Sequence, residues 1–176
     1  INAARNGKKV TVVLELRARF NEQENIQYGN LLNKENVKVI LGVPGLKVHA
    51  KLCLISRREE KQLKRYVCVG TGNYNEITSR VFSDHMLCTA DPNITREVNR
   101  VFEFFERNYR IGRFNHLLVS PFSMRKRIVK LIKQEISNAK AGIKARIYLK
   151  CNNLVDVEII SKIYEAAKCG VDIRLN

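Results

Sequence analysis

Acidic side chains are in short supply. The 176 residues hold 17 Asp and Glu against 32 Lys and Arg, a formal net charge of +15. An excess of that size favours a polyanionic partner: nucleic acid, an anionic membrane surface or a phosphate polymer. The shortage is sharpest between Ser120 and Lys150, where Glu135 is the one acid among nine Lys or Arg; a solvated helix face is the plain alternative for that cluster. No apolar run approaches the length of a membrane helix, which excludes a spanning segment of that kind, and no signal peptide opens the chain. Ile1 is not a start methionine, so a removed N-terminal signal stays open. The five cysteines are odd in number and lack metal-ligand spacing, which excludes a zinc module and points to core thiols in a reducing, cytoplasmic compartment. There are only three histidines: His49, His85 and His116.

What is present reads as a soluble α/β protein, with 45% hydrophobic and 28% charged residues. A helix end at 1–6 closes at Gly7, and a β-branched strand follows over 9–16. Asn21 caps a helix to about Lys34, with Ile26, Leu31 and Leu32 inward. A strand at 37–41 and a Val-Pro-Gly turn lead to the His49 strand. A charged connection at 59–64, a return strand, a short helix after Asn75 and a strand at 86–89 come next. The stretch 94–109 is an amphipathic helix with Val98, Val101, Phe102 and Phe105 on one face. Composition shifts near 110–121. Beyond it lie a helix over 123–141 that buries Leu131, Ile132 and Ile136, a strand at 144–150, a helix over 155–168 and a final strand at 171–175. The last helix, Gly170 and strand repeat the opening helix end, Gly7 and strand. The expected domains are therefore 1–118 and 119–176, the second being the start of a unit similar to the first.

The chemistry gathers in Pro44-Gly-Leu-Lys-Val-His-Ala-Lys-Leu-Cys-Leu-Ile-Ser-Arg57. Residues i and i+2 of a strand share a face about 6–7 Å apart, so His49 and Lys51 point the same way, and Val48, Ala50, Leu52 and Leu54 point into a core. A neutral imidazole nitrogen is a nucleophile, and an ammonium beside it attracts phosphate oxygens. Downstream, Gly70-Thr-Gly-Asn-Tyr-Asn75 is glycine-rich. Gly70 and Gly72 permit a backbone nest whose amides converge on an anion; an ordinary Gly/Asn loop is the alternative.

His49-x-Lys51 followed by Gly70-Thr-Gly-Asn73 resembles the His-x-Lys half-site of the phospholipase D superfamily, although that family normally has an Asp soon after the Lys and this chain has no acid until Glu59. Together with 10–20, Gly42-Val-Pro-Gly-Leu-Lys47, Thr71–Glu76 and Asn152-Asn-Leu-Val-Asp156, the whole chain resembles the C-terminal catalytic half of bacterial polyphosphate kinases, in which two such domains form one site.

That resemblance implies an α/β fold with a mixed sheet flanked by helices, and reversible transfer of the ATP γ-phosphate to inorganic polyphosphate through a phosphohistidine. His49 is the implied nucleophile and Lys51 the group that holds the phosphoryl. Asn73 and Asn75 line the phosphate pocket, and Arg19 matches a magnesium–phosphate position. Phe82 matches a nucleotide-contacting Tyr whose hydroxyl is absent here. Mg2+ and ATP are the implied cofactors, and ATP, ADP and polyphosphate the partners. Nucleic acid is not expected, whereas peripheral membrane association and a homo-oligomeric full-length protein are. His85 and His116 match no catalytic position and read as structural or exposed. His49 follows Gly7 by 42 residues, and the same interval from Gly170 runs past Asn176, so the second half-site is expected outside this chain. Two other classes share parts of this pattern: a phospholipase D-type phosphodiesterase or nuclease, and a non-catalytic polyanion-binding module.

Overall fold

Glycine sets the entry to the first strand. The helix α1, Asn2–Arg5, ends at Gly7, whose φ of 71° suits a residue without a Cβ. The Gly7 amide donates to Ala4 O and the Lys8 amide to Ala3 O, which satisfies carbonyls left over at the helix end. The computed structural model to which these values belong describes residues 1–15 and 22–176, in two compact units, Ile1–His116 and Leu117–Asn176.

In the first unit, β1 (Thr11–Leu14) and β2 (Lys38–Leu41) are parallel, with α2 (Glu22–Lys34) between them in sequence. Ile26 and Leu31 do not face inward as the sequence suggests; they are 52% and 43% exposed. The strip against the strands runs instead through Asn25, Gly29 and Leu32. Gly29 lets the helix lie close, so that Leu14 and Leu41 come within 3.7 and 3.9 Å of where its Cβ would be, and Asn25 donates to Glu15 O.

β3 (Lys51–Glu59) and β4 (Gln62–Gly70) form an antiparallel hairpin. Its two-residue turn places Glu60 and Lys61 at φ 46° and 69°, the paired positive-φ geometry whose twist matches that of the strands. After α3 (Glu76–Val81), β5 (Met86–Thr89) adds antiparallel to β4. Among the described residues the parallel pair and the three-stranded antiparallel sheet are separate ladders. The next helix, α4 (Pro92–Glu106), starts on an Asp91 cap accepting from the Asn93 amide, with Pro92 in its first turn. It buries Val98, Val101 and Phe104. It also buries Glu97, 3% exposed, which accepts from the amides of Asn115 (2.7 Å) and His116 (3.0 Å) and meets His116 Nδ1 at 3.3 Å. A charge in the middle of that apolar face was not expected.

The second unit comprises α5 (Met124–Lys140), β6 (Arg146–Leu149), α6 (Val157–Lys168) and β7 (Asp172–Leu175), the two strands parallel. Its core sets Val129, Ile132 and Ile136 against Ile159, Ile163 and Ala166. Leu131, expected inside, is 60% exposed, because the buried stripe of α5 passes through Val129 instead. Asp156 caps α6 through the Ile159 amide, and Arg125 bridges Asp156 and Glu158. That pairing makes Arg125, one of the nine cations, part of the scaffold. Gly170, at φ 86°, donates to Ala167 O, and Val171 donates to Ala166 O, the same cap in the same order as at Gly7.

Of the expected core thiols, Cys169 packs against the core of the second unit and none of the five is fully buried. Cys88 and Cys151 are exposed and Cys53, Cys68 and Cys169 half-buried, because the strand faces that carry the first three are only partly covered.

Candidate functional site

The strand register builds the site row by row. Lys51 opens β3 opposite Gly70, and Gly70 faces Met86 on β5. Side chains alternate along a strand and cross-strand partners share a face. Two residues outward, beyond the paired ladder, the same face therefore carries His49, Gly72 and Asp84. His49 itself precedes β3, whose strand pairing begins only at Lys51. Of the residues expected behind this face, Val48, Leu52 and Leu54 are half-buried, but Ala50 is exposed.

His49 and Lys51 meet directly. The Lys51 ammonium lies 3.0 Å from His49 Nδ1 and donates to His49 O at 2.7 Å. An ammonium has no acceptor, so Nδ1 receives and the neutral ring carries its proton on Nε2. Asp84 is the third member. Its carboxylate lies across Gly72, accepts from Thr71 Oγ1 at 2.9 Å, and Thr71 in turn accepts from the His85 amide at 3.0 Å. Glu15 steadies the approach to the histidine, its Oε2 taking the Val48 amide at 2.7 Å.

The glycines serve a different purpose from the one their spacing suggests. Neither Gly70 nor Gly72 adopts positive φ, so the expected nest is not built on left-handed residues. A Cβ at Gly72 would stand 2.1 Å from Asp84 Oδ2. Glycine is there because a carboxylate occupies the space.

The charges are mutually adjusted. The Lys51 charge, then partial burial, then Lys47 hold the His49 imidazole below the usual 6.5. Burial lowers the Lys51 ammonium from its usual value, Asp84 opposes that, and Lys47 adds to it. The unfolded chain protonates His49 first, at the ordinary value. This residue's contribution to stability is thus lost as pH falls through 6.5 towards the lower folded value. Near neutrality the ring is an unprotonated nucleophile beside a cation. Lys51→Met should move the His49 midpoint upward, towards 6.5, in an NMR titration of the imidazole protons. An unmoved midpoint would show that Lys51 does not set it.

The other expected site residues are placed less directly. Asn73 and Asn75 lie in the loop between β4 and α3; Asn75 Oδ1 caps α3 by accepting the Ile77 amide at 3.0 Å. Phe82 follows α3 and is 61% exposed. Arg19 lies outside the described residues. His85 is exposed and lends its backbone to Thr71, while His116 is held by Glu97. Sequence reading missed Asp84, Thr71 and Glu15. The one signal for Asp84 was a gap: His-x-Lys half-sites normally have an acid soon after the lysine, and here the carboxylate that acts on Lys51 sits in the segment just before β5.

A neutral imidazole and a partly desolvated ammonium under the influence of a carboxylate are the groups that nucleophilic chemistry on an anion calls for. Residues 1–111 match the family model "Polyphosphate kinase C-terminal domain 1" and residues 117–176 match "Polyphosphate kinase C-terminal domain 2". The chain is 53% identical to the polyphosphate kinase of Yersinia pestis over 99% of its own length and 26% of that protein. It is 51% and 49% identical to those of Vibrio parahaemolyticus and Escherichia coli K12, again over 99% of this chain and 25% of each relative. The crystal structure of polyphosphate kinase from Porphyromonas gingivalis superposes with a TM-score of 0.83 at 37% identity, covering 98% of this chain and 29% of that one. The chain belongs to the polyphosphate kinase family. It spans about a quarter of the length of the curated relatives it matches.

Proposed function

We propose that this chain supplies one half of the site of an ATP:polyphosphate phosphotransferase, with His49 as the phosphoryl carrier. The observation that carries this reading is the His49–Lys51 contact at 3.0 Å, backed by Asp84. Lys51 rests between a neutral ring nitrogen and a carbonyl. Charged phosphate oxygens are stronger acceptors than either, so an arriving γ-phosphate draws the ammonium away and frees the imidazole lone pair. The ring nitrogen then attacks the γ-phosphorus in line, a P–N bond forms, and the bond to the ADP oxygen breaks with its electron pair leaving on ADP. In the second step a terminal polyphosphate oxygen attacks the same phosphorus and the electron pair returns to the imidazole. Lys51 offsets charge on the moving group in both steps, and little else is needed beyond positioning.

Asn73, Asn75 and Arg19 belong to the phosphate pocket in this reading, and Phe82 to the nucleotide. Mg2+ belongs to it as well. Among the described residues no three His, Cys, Asp or Glu side chains group to hold a metal. The residues present do not fit a metal held by protein alone; magnesium typically keeps its waters and substrate phosphates as ligands. Residues 1–118 are then a first phospholipase D-like domain and 119–176 the beginning of a second. The +15 charge supports guidance of the polymer and contact with an anionic membrane surface, and family membership supports a homo-oligomer of the full-length enzyme. Among the described residues no helix is long and apolar enough to cross a membrane.

The test is binding and turnover with defined substrates. The 176-residue chain should bind polyphosphate, with affinity falling steeply as salt is added, because distributed surface charge is screened over about 8–10 Å at moderate ionic strength. It should extend polyphosphate from ATP far more slowly than the full-length enzyme, since losing even one donor to a transition state costs about 10²–10³ in rate. Hydrolysis of a phosphodiester without ATP, or extension at the full-length rate, would overturn the half-site reading.

A further inference from the structure

Beside the His49 and Lys51 rows, the same sheet face carries a row of thiols. Cys53 on β3 faces Cys68 on β4, and Cys68 faces Cys88 on β5. All are free, and the Cys68 and Cys88 Sγ atoms stand 3.3 Å apart. We propose that Cys68 and Cys88 are a site of reversible oxidation, a cross-strand dithiol that a small disulfide of the glutathione type converts to an intramolecular disulfide.

The backbone is already suited to the bond. Directly opposed residues of an antiparallel pair have Cα atoms about 4.5–5.5 Å apart, inside the range of about 4.4–6.8 Å that a disulfide spans. The two sulfurs need only close to about 2.05 Å, a movement within reach of χ1 rotation. Access differs between them: Cys88 is exposed and Cys68 half-buried, so a small disulfide meets Cys88 first. The hydrogen bond with Cys88, then burial, holds the Cys68 thiol above the usual range, which keeps it the slower of the two to meet the small disulfide.

The reaction balances with that co-reactant alone. Cys88 thiolate attacks one sulfur of the small disulfide and expels a thiolate, leaving a mixed disulfide. Cys68 thiolate then attacks the Cys88 sulfur and expels the second thiolate. Two electrons pass from the protein thiols to the small disulfide, and the two protons released by the protein end on the two small thiols. The consequence lies in the loop that the bond closes. Between Cys68 and Cys88 run Gly70, Gly72, Asn73, Asn75, α3, Phe82 and Asp84, and the base of this loop is also held by the β4–β5 ladder, by the Thr71 amide donating to His85 O and by the His85 amide donating to Thr71 Oγ1, both at 3.0 Å. Oxidation therefore adds a covalent tie to the hydrogen-bonded base of the loop that holds Asp84. The chemistry does not depend on the phosphotransferase reading.

The experiment treats the reduced chain with excess oxidised glutathione and maps its peptides without reduction. The expected result is a peptide joining Cys68 to Cys88, a mass lower by two hydrogens, and recovery of both thiols on adding a reductant. Cys88→Ser and Cys68→Ser should each abolish the cross-link and retain glutathione on the remaining cysteine. If either variant fails to fold, the wild-type map decides alone. Glutathione held stably on Cys88 of the wild type, a cross-link from Cys53, or alkylation of both thiols at an unchanged rate after oxidation would overturn the proposal.

Discussion

Full-length enzyme carrying His49→Ala will take up no acid-labile, base-stable label from γ-labelled ATP at this position, and chain extension will fall by at least ~10³-fold. Removal of a nucleophile deletes a covalent route and leaves only what the surrounding charges contribute. Lys51→Ala should retain the nucleophile but lose one neutralising donor, a deficit of about 10²–10³. The two variants therefore separate carrier from clamp: label is absent in the first and slow to appear in the second. Circular dichroism should show both folded, since His49 is exposed and Lys51 half-buried at the start of its strand. A folded His49→Ala enzyme that still labels at this site would remove the histidine from the mechanism.

Glu97→Ala will destabilise the first unit by about 2–4 kcal/mol, seen as a thermal midpoint lower by roughly 10 °C or more. The carboxylate is 3% exposed and accepts two backbone amides, Asn115 at 2.7 Å and His116 at 3.0 Å. Truncation orphans both donors and opens a void beside Val98 and Val101, each buried on the same helix. Glu97→Gln keeps one acceptor oxygen and should recover about half of the loss. Equal midpoints for Ala and wild type would mean that water replaces the carboxylate at no penalty.

Periodicity exposed most of the element order, because α4, α5 and α6 each carry an apolar stripe and because β5, at 86–89, is bounded by polar turns. It misjudged which stripe faces inward wherever a small or polar residue made the close contact. Gly29 and Asn25 took the place of Ile26 and Leu31; in α5, where Val129 rather than Leu131 faces inward, the misjudgement was one of phase between two apolar residues. Hydrophobicity ranks side chains by transfer free energy, whereas helix-on-strand packing at short range rewards the absence of a side chain. The His49–Lys51 pairing was legible because it is local, a two-residue spacing that brings the two side chains together at the entry to β3 even though His49 precedes the strand. Asp84 was not, since it stands 12 residues beyond Gly72 and comes to lie across that glycine, within electrostatic range of the lysine, only through the β4–β5 pairing. Glu97 escaped for a related reason: an acid on an apolar face is intelligible only once the amides it accepts have been brought back to it by the chain.

Gly72 and Asp84 share one parcel of volume. With 2.1 Å between a notional Cβ and the carboxylate oxygen, a side chain at 72 cannot enter unless the Asp84 side chain moves or is shortened. The two positions are thus coupled through space, although 11 residues lie between them in the chain. A library randomised at both should return functional clones with glycine at 72 wherever the acid keeps this place.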